Sequence, residues 1–352
     1  MKRIRSVALA AVVAVGFATV AIVGQPPAPT GARMADAAKS FLTALSPELK
    51  QKAKFSYDDK HRMEWYFTPQ QDKQKQATRV GARLAELSSD QKLAALALLK
   101  TGLSAKGFEQ AITIMSLENL LSDLEGPKGA MTRNPAWYFV SVFGDPSNTG
   151  KWSWRFEGHH MSVNYTLDKG EVVAATPLTF GSNPADVKDG PRKGLRNLAG
   201  VEDPAKVLIA SLTPEQDKTA KQAKHFAEIK EGSPTADVGA PVGITAAQLT
   251  AEQRKTLMSL LAAYTERMPD DLAAAETKRA TGTPPEKLYF GYSGSTEPGK
   301  GYTYRVQGTD FVVEFLNLQA DSAKNPANHI HSTWRLLPGD FGLAKSGSLA
   351  IV

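Results

Sequence analysis

The second half of this chain reads as a repeat of the first, so any fold must hold two similar units. The stretch WSWRFEGHHMSVNYT, from Trp152, aligns with YTYRVQGTDFVVEFL, from Tyr302. In both, an aromatic-x-aromatic-Arg-apolar pattern leads through an acid or amide to a glycine, Gly158 or Gly308, and then to an alternating apolar run. Upstream, WYFVSVFGDPSNTGK from Trp137 matches LYFGYSGSTEPGKG from Leu288; each is an aromatic strand followed by a Gly/Pro-rich hairpin loop. Further upstream, LSPELKQKA from Leu45 matches LTPEQDKTA from Leu212, and LSSDQKLAALALL from Leu87 matches LTAEQRKTLMSLL from Leu249.

Those last four segments carry helix-start chemistry. Ser46, Ser88, Thr213 and Thr250 stand where a side-chain oxygen can accept from the unpaired first-turn amides. Gln91, Gln216 and Gln253 sit three residues on and complete capping boxes. Pro47 and Pro214 occupy the first helical position, where no amide is missed. Glu48, Asp90, Glu215 and Glu252 favour the positive end of the helix dipole. Each half, about 45–181 and 212–342, therefore reads as a capped helix pair followed by antiparallel β hairpins. The segment 183–201 links them with loop signals. The expected fold class is α+β: two tandem pseudo-symmetric repeats, 31–201 and 202–352, sharing a sheet system with helices outside.

Residues 1–30 have a different character. Lys2, Arg3 and Arg5 precede an apolar run from Val7 to Val23, and a Pro-rich stretch then breaks any helix. The pattern is that of an export signal, cleaved or retained as an N-terminal anchor. Periplasmic or extracellular placement follows, with the membrane touched only through this segment. With its three basic and no acidic residues set aside, the formal charge of +6 falls to +3. So weak and dispersed a charge excludes a nucleic-acid footprint. The chain has no cysteine, which excludes disulfides, thiolate metal sites and a cysteine nucleophile. Any metal must be held by His, Asp, Glu or backbone oxygen.

Four of the six histidines fall into two tight clusters, His159-His160 and His329-Ile330-His331. The apolar phase changes at Glu157-Gly158-His159-His160, from Trp152, Trp154 and Phe156 to Met161, Val163 and Tyr165. This places the first cluster at a tight hairpin or bulge. On the second, Ile330, Trp334 and Leu336 share one strand face, and His329, His331, Thr333 and Arg335 share the other. Two imidazoles two residues apart on a strand can reach one ion, part of a His site for a divalent zinc, copper or iron. His159-His160 occupy the positions of Thr309-Asp310, and His329–His331 roughly match Val172–Ala174. Each half thus has histidines where the other has none, which points to one composite site. Arg335 could hold a small anionic substrate by its fork. Glu157 and Asp340 are the candidate acid–base groups, although Gln307 stands at the place of Glu157 and Asp340 could equally be a turn residue. Arg155 and Arg305 recur in both halves and read as structural. His61 and His225 fall on expected helices and read as solvated. There is no G-x-S-x-G, Walker, dinucleotide or HExxH motif.

The segments EGHHMSVNYT, PLTFGSNPADVKDGPRKGLRNL, YFGYSG, YRVQG and NHIHSTWR with PGDFG resemble the bacterial "domain of unknown function 3500" family over nearly everything after the export segment. The resemblance implies that Gly158-His159-His160, Asn328–His331, Arg335 and Asp340-Phe341-Gly342 are family features. It departs at Leu336-Leu337-Pro338, where an acidic residue is common in the family. It supplies no activity. The residues themselves suggest an exported metal-dependent enzyme, a hydrolase or lyase, with its site between the repeats. The alternative is a non-catalytic envelope protein binding a metal or a small anion.

Overall fold

The computed structural model describes residues 28–343. Residues 1–27 of the expected export or anchor segment lie outside the described residues. Among the described residues no helix is long and apolar enough to cross a membrane.

The described residues fold into eight α-helices and a mixed sheet of twelve strands, an α+β arrangement. The first half contributes helices α1 (Thr30–Ala44), α2 (Pro47–Ala53), α3 (Ser89–Thr101) and α4 (Ala105–Glu125). Its strands are β1 (Lys54–Phe55), β2 (Ala82–Arg83), β3 (Tyr138–Gly144), β4 (Lys151–Gly158), β5 (Met161–Asp168), β6 (Glu171–Ala174) and β7 (Leu178–Ser182). The second half contributes α5 (Ala199–Ala210), α6 (Pro214–Ala220), α7 (Ala251–Thr265) and α8 (Asp270–Gly282). Its strands are β8 (Ile244–Thr245), β9 (Tyr289–Gly294), β10 (Tyr302–Gln307), β11 (Phe311–Gln319) and β12 (His329–Leu336). Strand order is β1-β3-β4-β5-β7-β12-β11-β10-β9-β8, with β2 pairing β3 and β6 pairing β5. Among the strands named here the β1–β3 pair alone is parallel. The two halves meet where β7 pairs antiparallel with β12.

The helix starts form as their local chemistry dictates. Ser46, Ser88, Thr213 and Thr250 each accept from the backbone N–H three residues on. The boxes with Gln91, Gln216 and Gln253 are closed in both directions. The phase change at Gly158 is a two-residue hairpin: Gly158 pairs with Met161, and His159-His160 form the turn. A Cβ on Gly158 would overlap the Tyr138 ring, so glycine is required there. One position differs from expectation: His225 lies in coil, not on a helix, while His61 lies in a short 3-10 helix. The strand beside His329–His331 is β7. The chain leaves α2 at Ala53 to pair beside β3, and leaves α6 at Ala220, where Lys221 bridges to Tyr292.

Alternate strand residues, including Trp152, Trp154, Phe156, Val163, Tyr165, Tyr304, Phe315 and Trp334, share one core with Met34, Phe41, Leu98, Leu99, Ile114, Leu257, Leu261 and Tyr264 of the helices. The other face of the strands carries polar residues, yet Arg155, Glu157, Ser162, Asn164, Thr179, Thr333 and Arg335 are all buried. Two long segments, 56–80 and 221–243, cross this face. Trp65, Phe67 and Ile229 form a second apolar cluster there with Leu316 and Phe341. The buried guanidinium groups meet the carbonyls of these segments. Arg155 donates to His61 O at 2.9 Å, Arg305 to Val238 O at 2.7 Å, and Arg335 to Lys230 O and Ser233 O at 3.1 and 2.8 Å.

Trp154 stacks on Tyr165 with ring centroids 5.1 Å apart, and a Cβ on Gly102 would meet the Trp154 ring at 2.7 Å. So tight a fit cannot relax around a void. Trp154→Ala is expected to lower unfolding stability by about 3–5 kcal/mol, read from the midpoint of a urea titration at unchanged slope.

Candidate metal centre

Three histidines converge where the halves meet. His160 comes from the β4–β5 turn, and His329 and His331 from the start of β12. One ring nitrogen from each lies within 4.8 Å of the others. The Nε2 atoms of His160 and His329 are 2.7 Å apart. Around a tetrahedral ion at about 2.1 Å the nitrogens stand about 3.4 Å apart, a spacing that the observed values bracket. The ring centroids are 4.8 Å apart for His160–His329, 5.3 Å for His160–His331 and 4.8 Å for His329–His331. The rings thus surround a point and do not stack in a column.

Backbone contacts hold His160 in place. Its φ is +63°, a left-handed conformation that costs a non-glycine residue about 1 kcal/mol or more. Its N–H donates to Phe67 O at 2.7 Å, and its carbonyl accepts from Gly181 N at 2.7 Å. Gly181 pairs with His331 across β7–β12. A Cβ at Gly181 would lie 2.8 Å from His160 Cδ2 and 2.8 Å from Ile330 O, so this glycine makes room for the imidazole. His329 N donates to Asn317 Oδ1 at 3.0 Å, which fixes the start of β12. His331 Nδ1 lies 3.0 Å from Glu228 Oε1, leaving Nε2 for the cluster. A carboxylate behind a ligating imidazole orients the ring and raises its basicity. Phe67 packs edge-on against His331 at 4.9 Å.

Electrostatics favour the neutral form of His160 and His329. Burial pushes the His160 pKa well below the ordinary histidine value, and the neighbouring His159, His329 and His331 and Arg133 push it further. Burial, then His331, His159 and Arg133, push His329 down to about 2. Neutral imidazoles are the metal-binding form, so an ion displaces no proton from these two at neutral pH.

His159 does not join the three. Its ring stacks on His160 at 3.7 Å between centroids, and its Nδ1 lies 2.5 Å from Glu118 Oε1. Arg133 stands beside it, Nη1 3.2 Å from Nδ1, and is held by a two-pronged pair with Glu125 at 2.9 Å for each bond.

The model of the family described as "Protein of unknown function (DUF3500)" matches residues 28–343, nearly the whole chain. The chain belongs to this family. No curated protein and no solved structure matches it.

In this DUF3500 member the acid–base and anion-binding candidates read from sequence lie elsewhere. Arg335 is four residues beyond His331 on β12, roughly 13 Å along the strand. It is fully buried, with its three nitrogens on Asp340 Oδ2 at 2.7 Å and on the carbonyls of Lys230 and Ser233. Asp340 is spent on Arg335 and on the Leu336 N–H at 3.0 Å. Glu157 lies between Arg79 Nε at 3.5 Å and Arg155 Nε at 3.2 Å and accepts from Tyr66 N at 2.9 Å. All three hold the coil segments to the sheet. The carboxylates that do reach the histidines, Glu118 and Glu228, were not singled out in the sequence. Glu118 had a signal: a charge on the buried stripe Ile114, Glu118, Leu121 of α4. Glu228 had none, because its segment has no periodicity.

Two outcomes test this geometry. With chelator present, the depressed pKa values of His160 and His329 mean that the folded state binds fewer protons than the unfolded chain. Stability is then full above the unfolded histidine pKa of about 6.5 and declines as pH falls below it toward the folded values. The urea midpoint should drop between pH 7 and pH 5, and His329→Ala should flatten that slope. Glu228→Gln should weaken zinc binding about 10–100-fold in competition with a chromophoric chelator, with the fold unchanged by circular dichroism.

Proposed function

We propose that this is an exported, His-ligated metalloenzyme, a hydrolase or lyase, whose site is shared by two tandem repeats. The convergence of His160 with His329 and His331 carries the reading. Three protein nitrogens leave a fourth position for water or substrate, the pattern of catalytic and not structural metal sites. A bound divalent ion, zinc, copper or iron, would lower the pKa of such a water and polarise a substrate oxygen. A cavity of about 20 Å³, enough for about one water molecule, is lined by His159, Glu118, Arg133, Gln70, Gln71 and Thr132 and by none of the three converging histidines; it adjoins them through the His159 ring stacked on His160. His159, backed by Glu118, is the nearest acid–base pair, and Arg133 takes the anion-orienting role first given to Arg335.

The tandem repeat is supported by the sheet, whose strands run β2-β3-β4-β5-β7 on one side of the junction and β12-β11-β10-β9-β8 on the other. The matched capped helix pairs also support it. Export rests on the basic and apolar pattern of residues 1–30, with the membrane met only through that segment. A second reading, a non-catalytic envelope protein that stores a metal or a small anion, draws on the burial of His160 and His331, which are 3% and 6% exposed.

The deciding experiment is metal content by mass spectrometry on the chain from residue 28, purified without an affinity tag, beside His329→Ala/His331→Ala. About one zinc, copper or iron per chain, lost in the double variant, is the expected result. No metal in either sample after reconstitution would end both metal readings. A metal that stays inert to exchange and supports no turnover in hydrolase and lyase screens would leave the storage reading.

A further inference from the structure

Across the sheet from the histidines lies a second unusual group. Arg267 follows the C-terminus of α7 and is 1% exposed. Its Nε, Nη1 and Nη2 have no hydrogen-bond partner among the described residues. Its guanidinium sits over two aromatic faces, Phe180 and Tyr264, each 4.9 Å from the ring centroid. Phe180 pairs with Ser332 on β7–β12, one residue from the His331–Gly181 pair. The backbone cannot carry the side chain out to water. Arg267 O accepts from Ser104 N at 2.9 Å at the start of α4, and Gly107 packs directly on the same carbonyl.

Magnitudes make this arrangement incomplete as protein alone. Burying an ion costs several kcal/mol after relaxation. Cation–π contact returns only part of that cost. Burial lowers the Arg267 pKa to about 10, so the group remains charged at neutral pH, and the groups opposing that shift are the hydroxyls of Tyr264 and Tyr304, not a carboxylate. Those two hydroxyls are spent on each other at 2.7 Å, and Tyr304 also donates to Val201 O at 2.6 Å. Every other buried arginine described above has carbonyl or carboxylate partners.

We propose that Arg267 is a binding site for a small planar oxyanion, of the carboxylate, bicarbonate or nitrate class, held between the helices and the sheet. The rings meet the guanidinium through its charge and leave its fork of N–H donors without an acceptor among the described residues. A flat anion coplanar with the fork satisfies those donors two at a time. The site is independent of the metal reading, since it lies on the opposite face and uses none of the histidines.

The test is thermal unfolding of the chain from residue 28 in sodium formate, against sodium chloride at equal ionic strength. Formate should raise the midpoint saturably, by roughly 5 °C at a hundred times its dissociation constant, with chloride giving less. Arg267→Met should abolish the difference. Arg267→Lys, which keeps charge and loses the fork, should raise the half-saturating formate concentration about tenfold. Equal responses to formate and chloride would overturn the proposal, as would formate dependence that survives in Arg267→Met. If neither variant folds, the formate–chloride difference in the unmodified chain decides alone.

Discussion

The pairing of β7 with β12 is the contact on which the rest depends. Five register pairs, from Ile330–Ser182 to Trp334–Leu178, turn two strand runs into one sheet. Side chains reinforce the ladder: Thr179 and Thr333 hydroxyls meet at 2.8 Å, and Ser332 donates to Phe180 O at 2.8 Å. The same register sets Gly181 opposite His331, and Gly181 in turn holds the His160 carbonyl. A slip of one residue would turn His329 and His331 to the opposite face and put a side chain where only glycine fits. Asn328 closes the end of the junction by bonding both the N–H and the carbonyl of Asp186 at 2.8 Å.

The face opposite the helices is built on different terms. Its strands present charges and hydroxyls, and the segments laid over them have little regular structure. Such a layer can be dry only if its backbone carbonyls find donors. The arginines of the strands supply them, which is why Arg155, Arg305 and Arg335 are aimed at His61, Val238 and Lys230 and not at solvent. Trp65 completes the cover over Arg335, with the guanidinium 5.0 Å above its ring. The layer then brings Phe67, Glu228 and Glu231 over the start of β12 and the β4–β5 turn, where Glu231 fixes the backbone of Phe67 and Thr68 at 2.8 and 3.1 Å.

What could be read in the sequence was local. Capping boxes span four residues, a two-residue hairpin shows as a change of apolar phase, and a His-x-His strand carries its own facing rule. All of these formed as expected. The meeting of His160 with His329 and His331 followed from comparing the halves. What could not be read was the partner of each polar strand residue. An arginine that grips a carbonyl across the sheet and one left without an acceptor look identical in one dimension, and so the sequence alone does not show that Arg335, Glu157 and Asp340 are taken up in holding the coil segments. Glu228 reaches His331 from a segment whose path is set by the sheet beneath it, and nothing within that segment announces it.

His160 and His329 are 169 residues apart in the chain, and the later one lies on the last strand of the described residues. Loop closure over such a distance is slow and comes late. A chain whose last strand has not docked therefore has no cluster at all, because the first half alone offers a single imidazole of the three. The three-histidine cluster thus exists only once β12 has docked, so its formation reports that the two halves have joined.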